Sequence, residues 1–266
     1  MSGFLRLQQE SSVLRITLDE PKSRNSLSDG MMSALSGALA DAKDNSSISA
    51  VVLAAEGPAF CSGHNLKELT AKRSDADAGA HYFTEIFSRC SNLMMQIKQH
   101  RCAIIAEVSG LASAAGCQLV ASCDLAYASQ KATFCTPGVN IGLFCSTPMV
   151  ALSRNVGSKH ALEMLLTGDV FDADYACRVG LVNAVIEPPD LTSRVMAIAD
   201  KISKKSSTAI AFGKKLINAQ QELSLQEAYR VSAEVMVANM LDPESCEGIG
   251  AFLEKRHPKW RSGTHS

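Results

Sequence analysis

The sequence predicts an α/β domain followed by a helical C-terminal part. Three observations carry this. Short apolar runs of strand type alternate with amphipathic stretches as far as about residue 158, the pattern beyond is mostly helical, and no fixed repeat or low-complexity linker interrupts the 266 residues. In chain order, Val13–Leu18 reads as a strand that Glu20-Pro21 ends. Ser28 then reads as a helix N-cap, with Met32, Leu35 and Leu39 at helical spacing behind it. Residues 48–54 form a buried-type strand broken by Glu56-Gly57-Pro58. A long helix follows residue 75 or so, its buried stripe read as Phe83, Ile86, Phe87, Cys90, Met94 and Ile97. Ala103–Val108 and residues 125–128 are the next strands. Helices are predicted over 159–166, 173–179, Leu191–Ser203, 207–219, Leu225–Met240 and 244–255, with one strand, 181–186, among them.

Composition narrows the function classes. Hydrophobic residues make up 46% of the chain, ample for a core, and 26 Lys+Arg against 27 Asp+Glu leave a net charge of -1. No basic excess points to nucleic acid. No apolar stretch reaches the roughly 18 residues of a membrane span. The nine cysteines are odd in number, include no C-x-x-C and sit mostly in apolar stretches, which predicts reduced buried thiols in a cytosol-like compartment. A mitochondrial matrix location is the alternative if a transit peptide has been removed. No metal site is expected, because the six histidines do not cluster with cysteines at ligand spacing.

Two strand-to-helix junctions are rich in very small residues. One is Gly57-Pro58-Ala59-Phe60-Cys61-Ser62-Gly63-His64-Asn65-Leu66-Lys67-Glu68-Leu69, the other Gly110-Leu111-Ala112-Ser113-Ala114-Ala115-Gly116-Cys117-Gln118-Leu119. Small side chains admit close approach of a backbone or a ligand, and free N–H groups at a helix start favour negative charge. Two such groups aimed at one oxygen form an oxyanion hole. A tight turn that only packs a helix against a sheet reads the same way.

Both junctions, with Pro21-Lys22-Ser23-Arg24-Asn25-Ser26-Leu27, the stretch from Ile105 to Asp124, Thr136-Pro137-Gly138-Val139-Asn140-Ile141-Gly142-Leu143 and the end from Glu247 to Arg256, resemble the crotonase (enoyl-CoA hydratase/isomerase) superfamily over nearly the whole chain. The resemblance implies a ββα spiral at residues 1–190, a C-terminal helical trimerisation region at 191–260 and a polar tail at 261–266. It implies an acyl-CoA substrate in fatty-acyl or related CoA metabolism, no separate cofactor, and a homotrimer or dimer of trimers. The backbone amides of His64 and Ala115 would hold the thioester oxygen. Arg24, Asn65, Leu66 and Lys67 would line the coenzyme A path, and Phe252 and Lys255 would reach coenzyme A on a neighbouring subunit. Each of these cations reads equally as a solvated surface charge.

The chain departs from the family where it matters most. Family hydratases place glutamates where this sequence has Gln118 and Gly138, so it resembles the atypical hydratase-domain proteins that lack both. A Gln amide cannot take and return a proton, and glycine has no side chain. Three functional readings stay open: a hydratase/isomerase-type enzyme, an acyl-CoA-binding protein without turnover, and a different reaction such as thioester hydrolysis using Cys145, Ser146 or a water on Gln118. Cys145 also reads as an inert buried thiol. Glu107, within an apolar strand, reads as outward- or subunit-facing or as an acid/base group. His64 or His81 would have to lie near in space to activate a nucleophile.

Overall fold

The computed structural model describes residues 3–260, so the tail expected at 261–266 lies outside them. β1 (Leu5–Glu10) pairs antiparallel with β2 (Val13–Leu18). α1 (Asp29–Asp44) begins where Ser28 accepts the Met31 N–H and buries Met31, Met32, Leu35 and Leu39. Then come β3 (Ala50–Ala55), β4 (Ala59–Cys61), α2 (Leu66–Ala71) and α3 (Ala80–Lys98), followed by β5 (Ala103–Val108), β6 (Leu111–Ser113) and α4 (Ala115–Ser122). A third pair, β7 (Leu125–Ser129) and β8 (Thr133–Cys135), leads through a 3₁₀ turn at Pro137–Ile141 into α5 (Ser146–Leu152). After α6 (Ser158–Thr167), β9 (Phe171–Asp172), α7 (Ala173–Arg178) and β10 (Ala184–Ile186), four helices complete the chain: α8 (Leu191–Ser203), α9 (Ser207–Gln220), α10 (Leu225–Met240) and α11 (Pro243–Leu253).

Two sheets organise these elements, in the orders β1-β2-β3-β5-β7-β10 and β4-β6-β8-β9. Each of β3, β5 and β7 adds a parallel strand to the first, and the strand immediately after it adds one to the second. Helices carry the chain back between these pairs. This is the expected spiral of ββα turns. β3 and β5 are covered on both faces, which is why they read as unbroken apolar runs. Ile16, Val51, Leu53, Ile104 and Ala106 face the main core with α1, α3 and α4, while Val13, Ala50, Val52 and Ile105 pack against Leu191, Val195 and Ala199 of α8. All eight residues of α4 are buried, as an all-round apolar helix requires.

Three expectations need correction. Phe87 leaves the predicted stripe of α3 and is 38% exposed, because Ile86, Cys90, Leu93, Met94 and Ile97 define the buried face and Phe87 lies at its margin; Phe83 is only partly buried. The strand expected at 181–186 is confined to Ala184–Ile186. Gly180, at φ +85, ends α7 with backbone bonds from Gly180 and Leu181 to Cys177 and Ala176, and Leu181 and Val182 turn into the core. Glu107 does not face solvent: it is buried on the α8 side of the sheet, paired with Arg15 at 2.7 Å and accepting the Thr192 hydroxyl at 2.7 Å. α8, expected with the C-terminal helices, packs on the first sheet against β2, β3, β5 and β7.

α9 is pinned to the spiral by Lys214, which pairs with Asp124 at 2.5 Å and donates to the Cys102 carbonyl at 2.7 Å, and by Asn218, which donates to the Lys98 carbonyl. α9 and α10 contain no fully buried residue, and Leu225, Tyr229, Leu241 and Phe252 are among the most exposed large hydrophobic side chains of the described residues. Seven cysteines are buried and none is in a disulfide; Cys246 on α11 is exposed.

Candidate functional site

The two glycine-rich junctions meet. Gly63 has φ +88, and a Cβ there would lie 3.0 Å from the Ser113 carbonyl oxygen and 3.3 Å from the Ala115 nitrogen. Gly116 is tighter: its Cβ would stand 2.1 Å from the Cys61 carbonyl oxygen. Each loop therefore presses its backbone into the other, which only glycine permits. Ala114 takes φ 49, ψ -114, a region that costs a non-glycine residue about 1–3 kcal/mol, and its N–H is held by the Cys135 carbonyl at 2.9 Å. The next residue, Ala115, opens α4. Among the described residues, neither its N–H nor that of His64 has a recorded acceptor.

The first junction is braced from behind. Asn25, fully buried at φ 52, accepts the Glu20 N–H and donates to the carbonyls of Glu56 and Ala59 at 2.9 and 2.8 Å. Sequence reasoning missed this brace, although Asn after Arg24, both at positive φ, is the residue type that tolerates such backbone best. The Leu27 N–H donates to the Gly63 carbonyl at 2.8 Å, and the Ser62 N–H to that of Arg24 at 3.0 Å. The exposed Arg24 side chain thus starts beside the junction that carries Lys67.

The His64 ring lies edge-on to Phe87, with centroids 5.2 Å apart and planes at 84°. Both its nitrogens are buried, and burial lowers its pKa below the usual 6.5, against the smaller opposing effect of a hydrogen bond with the Leu27 backbone. One turn along α3 from Phe87, the Cys90 thiol lies 4.0 Å from Oε1 of Gln118, which is buried on α4. Phe87 is therefore a wall of this region that the sequence pattern assigned to the core.

The family model for enoyl-CoA hydratase/isomerase matches residues 8–263. The chain belongs to that family. The Xenopus laevis protein named enoyl-CoA hydratase domain-containing protein 3, mitochondrial, is 46% identical over 260 residues, covering 98% of this chain and 86% of that one. The human protein of the same name is 45% identical over 253 residues, covering 95% and 82%. The crystal structure of human enoyl Coenzyme A hydratase domain-containing protein 3 superposes with a TM-score of 0.91 at 44% identity, covering 97% of this chain and all of that one. An enoyl-CoA hydratase structure from Mycobacterium smegmatis gives 0.90 at 45% identity, with 97% and 98% covered. Both vertebrate relatives are named mitochondrial, so nothing supports the cytoplasmic expectation over its matrix alternative.

Against this family background, the remaining residues sort themselves. Position 138 is not an empty slot: a Cβ on Gly138 would meet the Leu143 carbonyl oxygen at 2.6 Å and the Cys145 sulfur at 3.0 Å. Cys145 is 8% exposed and burial raises its thiol pKa, which is the opposite of an activated nucleophile. The Ser146 hydroxyl donates to the Phe144 carbonyl. Asn65 is occupied as the N-cap of α2, accepting from the Lys67 N–H and donating to Glu68, while the Leu66 and Lys67 side chains are exposed. His81 is exposed beside Glu85, and Glu107 lies across the sheet with Arg15, so neither joins the junctions. Phe252 and Lys255 sit at the end of α11, which packs mainly on α9 and α10. Among the described residues no group of three or more His, Cys, Asp or Glu side chains is arranged to hold a metal ion.

Proposed function

We propose that this chain binds acyl-CoA thioesters and polarises the thioester carbonyl between the backbone N–H groups of His64 and Ala115, so that charge can move onto the oxygen as an enolate. The observation that carries the reading is the mutual seating of the two junctions through Gly63 and Gly116, with both N–H groups left without an internal acceptor. Arg24 and Lys67, exposed beside the first junction, serve the coenzyme A phosphates. Family membership and relatives named for enoyl-CoA hydratase support a lyase or isomerase role in fatty-acyl or related CoA metabolism. The relatives' names also support the mitochondrial matrix.

The two-glutamate hydration route is unavailable, since Gln118 and Gly138 occupy the acid/base positions. Hydration of short enoyl-CoAs is accordingly slower than with a glutamate pair, the two amides contributing about 10²–10³ each. Thioester hydrolysis through Cys145 or Ser146 is disfavoured by the buried thiol and the engaged hydroxyl. A homotrimer, or two stacked trimers, is the assembly that covers the exposed apolar side chains of α10 and α11 and puts Phe252 and Lys255 beside a neighbour's coenzyme A.

Calorimetry with a panel of acyl-CoAs tests the binding, and micromolar-range affinity is expected. No heat, together with no competition among the thioesters, overturns it. Light scattering at micromolar concentration tests the assembly, and a monomer overturns that part alone.

A further inference from the structure

We propose that the His64 imidazole is the acid/base group of this site, taking a proton beside the thioester carbonyl and returning it. The inference deepens the acyl-CoA reading above and rests on it. Both ring nitrogens are enclosed, and the ring's one hydrogen bond, to the Leu27 backbone, leaves the other nitrogen without a partner. Native structures keep few buried polar atoms unsatisfied without a use. The ring is held edge-on by Phe87, and it belongs to the same residue whose N–H serves as one oxyanion donor. The ring branches from the Cα that carries that N–H, so covalent geometry keeps it within a side chain's length of a carbonyl bound there.

The other candidates for proton transfer are out of position or of the wrong basicity. Burial pushes the Cys61 and Cys90 thiols up to about 12 and that of Cys117 higher still. Glu107 is committed to Arg15 on the far side of the sheet, and Gln118 does not titrate. Among the described residues, no charge near the ring ties it to one protonation state. On α2, Glu68 is engaged with Asn65 and the Asp29 N–H; on α3, Arg89 pairs with Asp29; Cys90 on α3 and Cys61 on β4 are neutral thiols. The buried imidazole is therefore neutral above its lowered pKa, with one nitrogen free to accept a proton.

The steps balance without any further reactant. With a saturated acyl thioester, the C2–H bond breaks, its proton goes to the ring nitrogen, and the electron pair passes to the carbonyl oxygen as an enolate. Return of the proton to C2 restores the thioester. With an enoyl thioester, water oxygen bonds to C3, the π pair moves to the carbonyl oxygen, the ring takes the water's proton, and the imidazolium then delivers it to C2. One residue suffices because it acts first as base and then as acid.

The test uses the full-length protein with butyryl-CoA in deuterated buffer, measuring deuterium incorporation at C2 by mass spectrometry alongside calorimetric affinity. His64→Gln and His64→Phe both keep the backbone amide, and the second also keeps a ring against Phe87 should the first fold poorly. The wild type is expected to exchange, with a rate that rises with pH through a pKa below 6.5. Both variants are expected to lose about 10²–10⁴-fold of that rate and the pH limb, with affinity within about tenfold of wild type. In wild type alone, the ring ¹⁵N resonances are expected to shift when butyryl-CoA is added. Equal exchange in the variants overturns the proposal, as does bound butyryl-CoA with no exchange or no ring shift in wild type. Absence of binding to wild type is a different result: it removes the acyl-CoA reading itself, and this inference with it.

Discussion

Gly116 and Gly138 both lack room for a side chain, but for different reasons. At Gly116 the obstacle is the Cys61 carbonyl oxygen on β4, some fifty positions earlier in the chain, where the two junctions are locked face to face. At Gly138 the obstacles are Leu143 and Cys145, a few residues further along the same loop, which the Leu143 N–H to Gly138 carbonyl bond of 2.9 Å closes on itself. One is a constraint of the whole scaffold and the other a local closure. The difference teaches that the junctions are fixed by contacts between distant parts of the chain, whereas the loop at Gly138 is closed by its own neighbours. A missing glutamate at position 138 is then not a gap awaiting a side chain.

Substitution at the two glycines should separate them. Gly116→Ala is expected to cost more than about 3 kcal/mol, because a methyl at 2.1 Å from a sheet carbonyl can be relieved only by parting the junctions. Urea denaturation will measure this, and acyl-CoA affinity should fall with it. A loss under 1 kcal/mol would show that the junctions are not locked.

Acid should act on the scaffold and leave the loop untouched. His100 is buried with its Nε2 against the Leu39 carbonyl at 3.1 Å and its Nδ1 accepting the Cys102 N–H, and burial lowers its pKa to about 4. The folded form keeps this ring neutral down to about pH 4, whereas the unfolded chain protonates it near 6.5. Its contribution is thus fully present above pH 6.5 and is lost as pH falls from 6.5 toward 4, by about 3 kcal/mol. Stability curves between pH 4 and 8 should flatten by that amount in His100→Gln.

The smallest effect is expected at the Gly138 loop. Gly138→Ala should cost about 1–3 kcal/mol, since the loop can shift by tenths of an ångström where the sheet cannot. It should displace the stability-against-pH curve without changing its slope. Gly138→Glu, alone or with Gln118→Glu, should fail to raise enoyl-CoA hydration unless Leu143–Cys145 moves. A rate gain with an undisturbed loop would contradict the closure.

The same contrast explains what the sequence revealed. The junctions were legible because close backbone contact demands small residues, and Gly63 and Gly116 advertise it. Helices such as α1, α8 and α10 were legible from 3–4 spacing alone. Strands β4, β6, β8 and β9, of two or three residues, are too short to show a period. Phe87 was misassigned because a stripe's margin and its centre share one periodicity. The Arg15–Glu107 pair joins positions 92 apart, and no local pattern announces a partner at that distance. The closure over Gly138 is likewise a matter of where a carbonyl points, which residue types do not encode.

The distribution of thiols has a practical consequence. With seven cysteines buried and Cys177 half-covered, Cys246 is the exposed sulfhydryl of the chain, and it sits on α11 beside the uncovered apolar face. A maleimide dye added under native conditions will therefore report chiefly from α11, the surface that the proposed assembly would cover. Its labelling rate against protein concentration gives an assembly isotherm without any engineered cysteine.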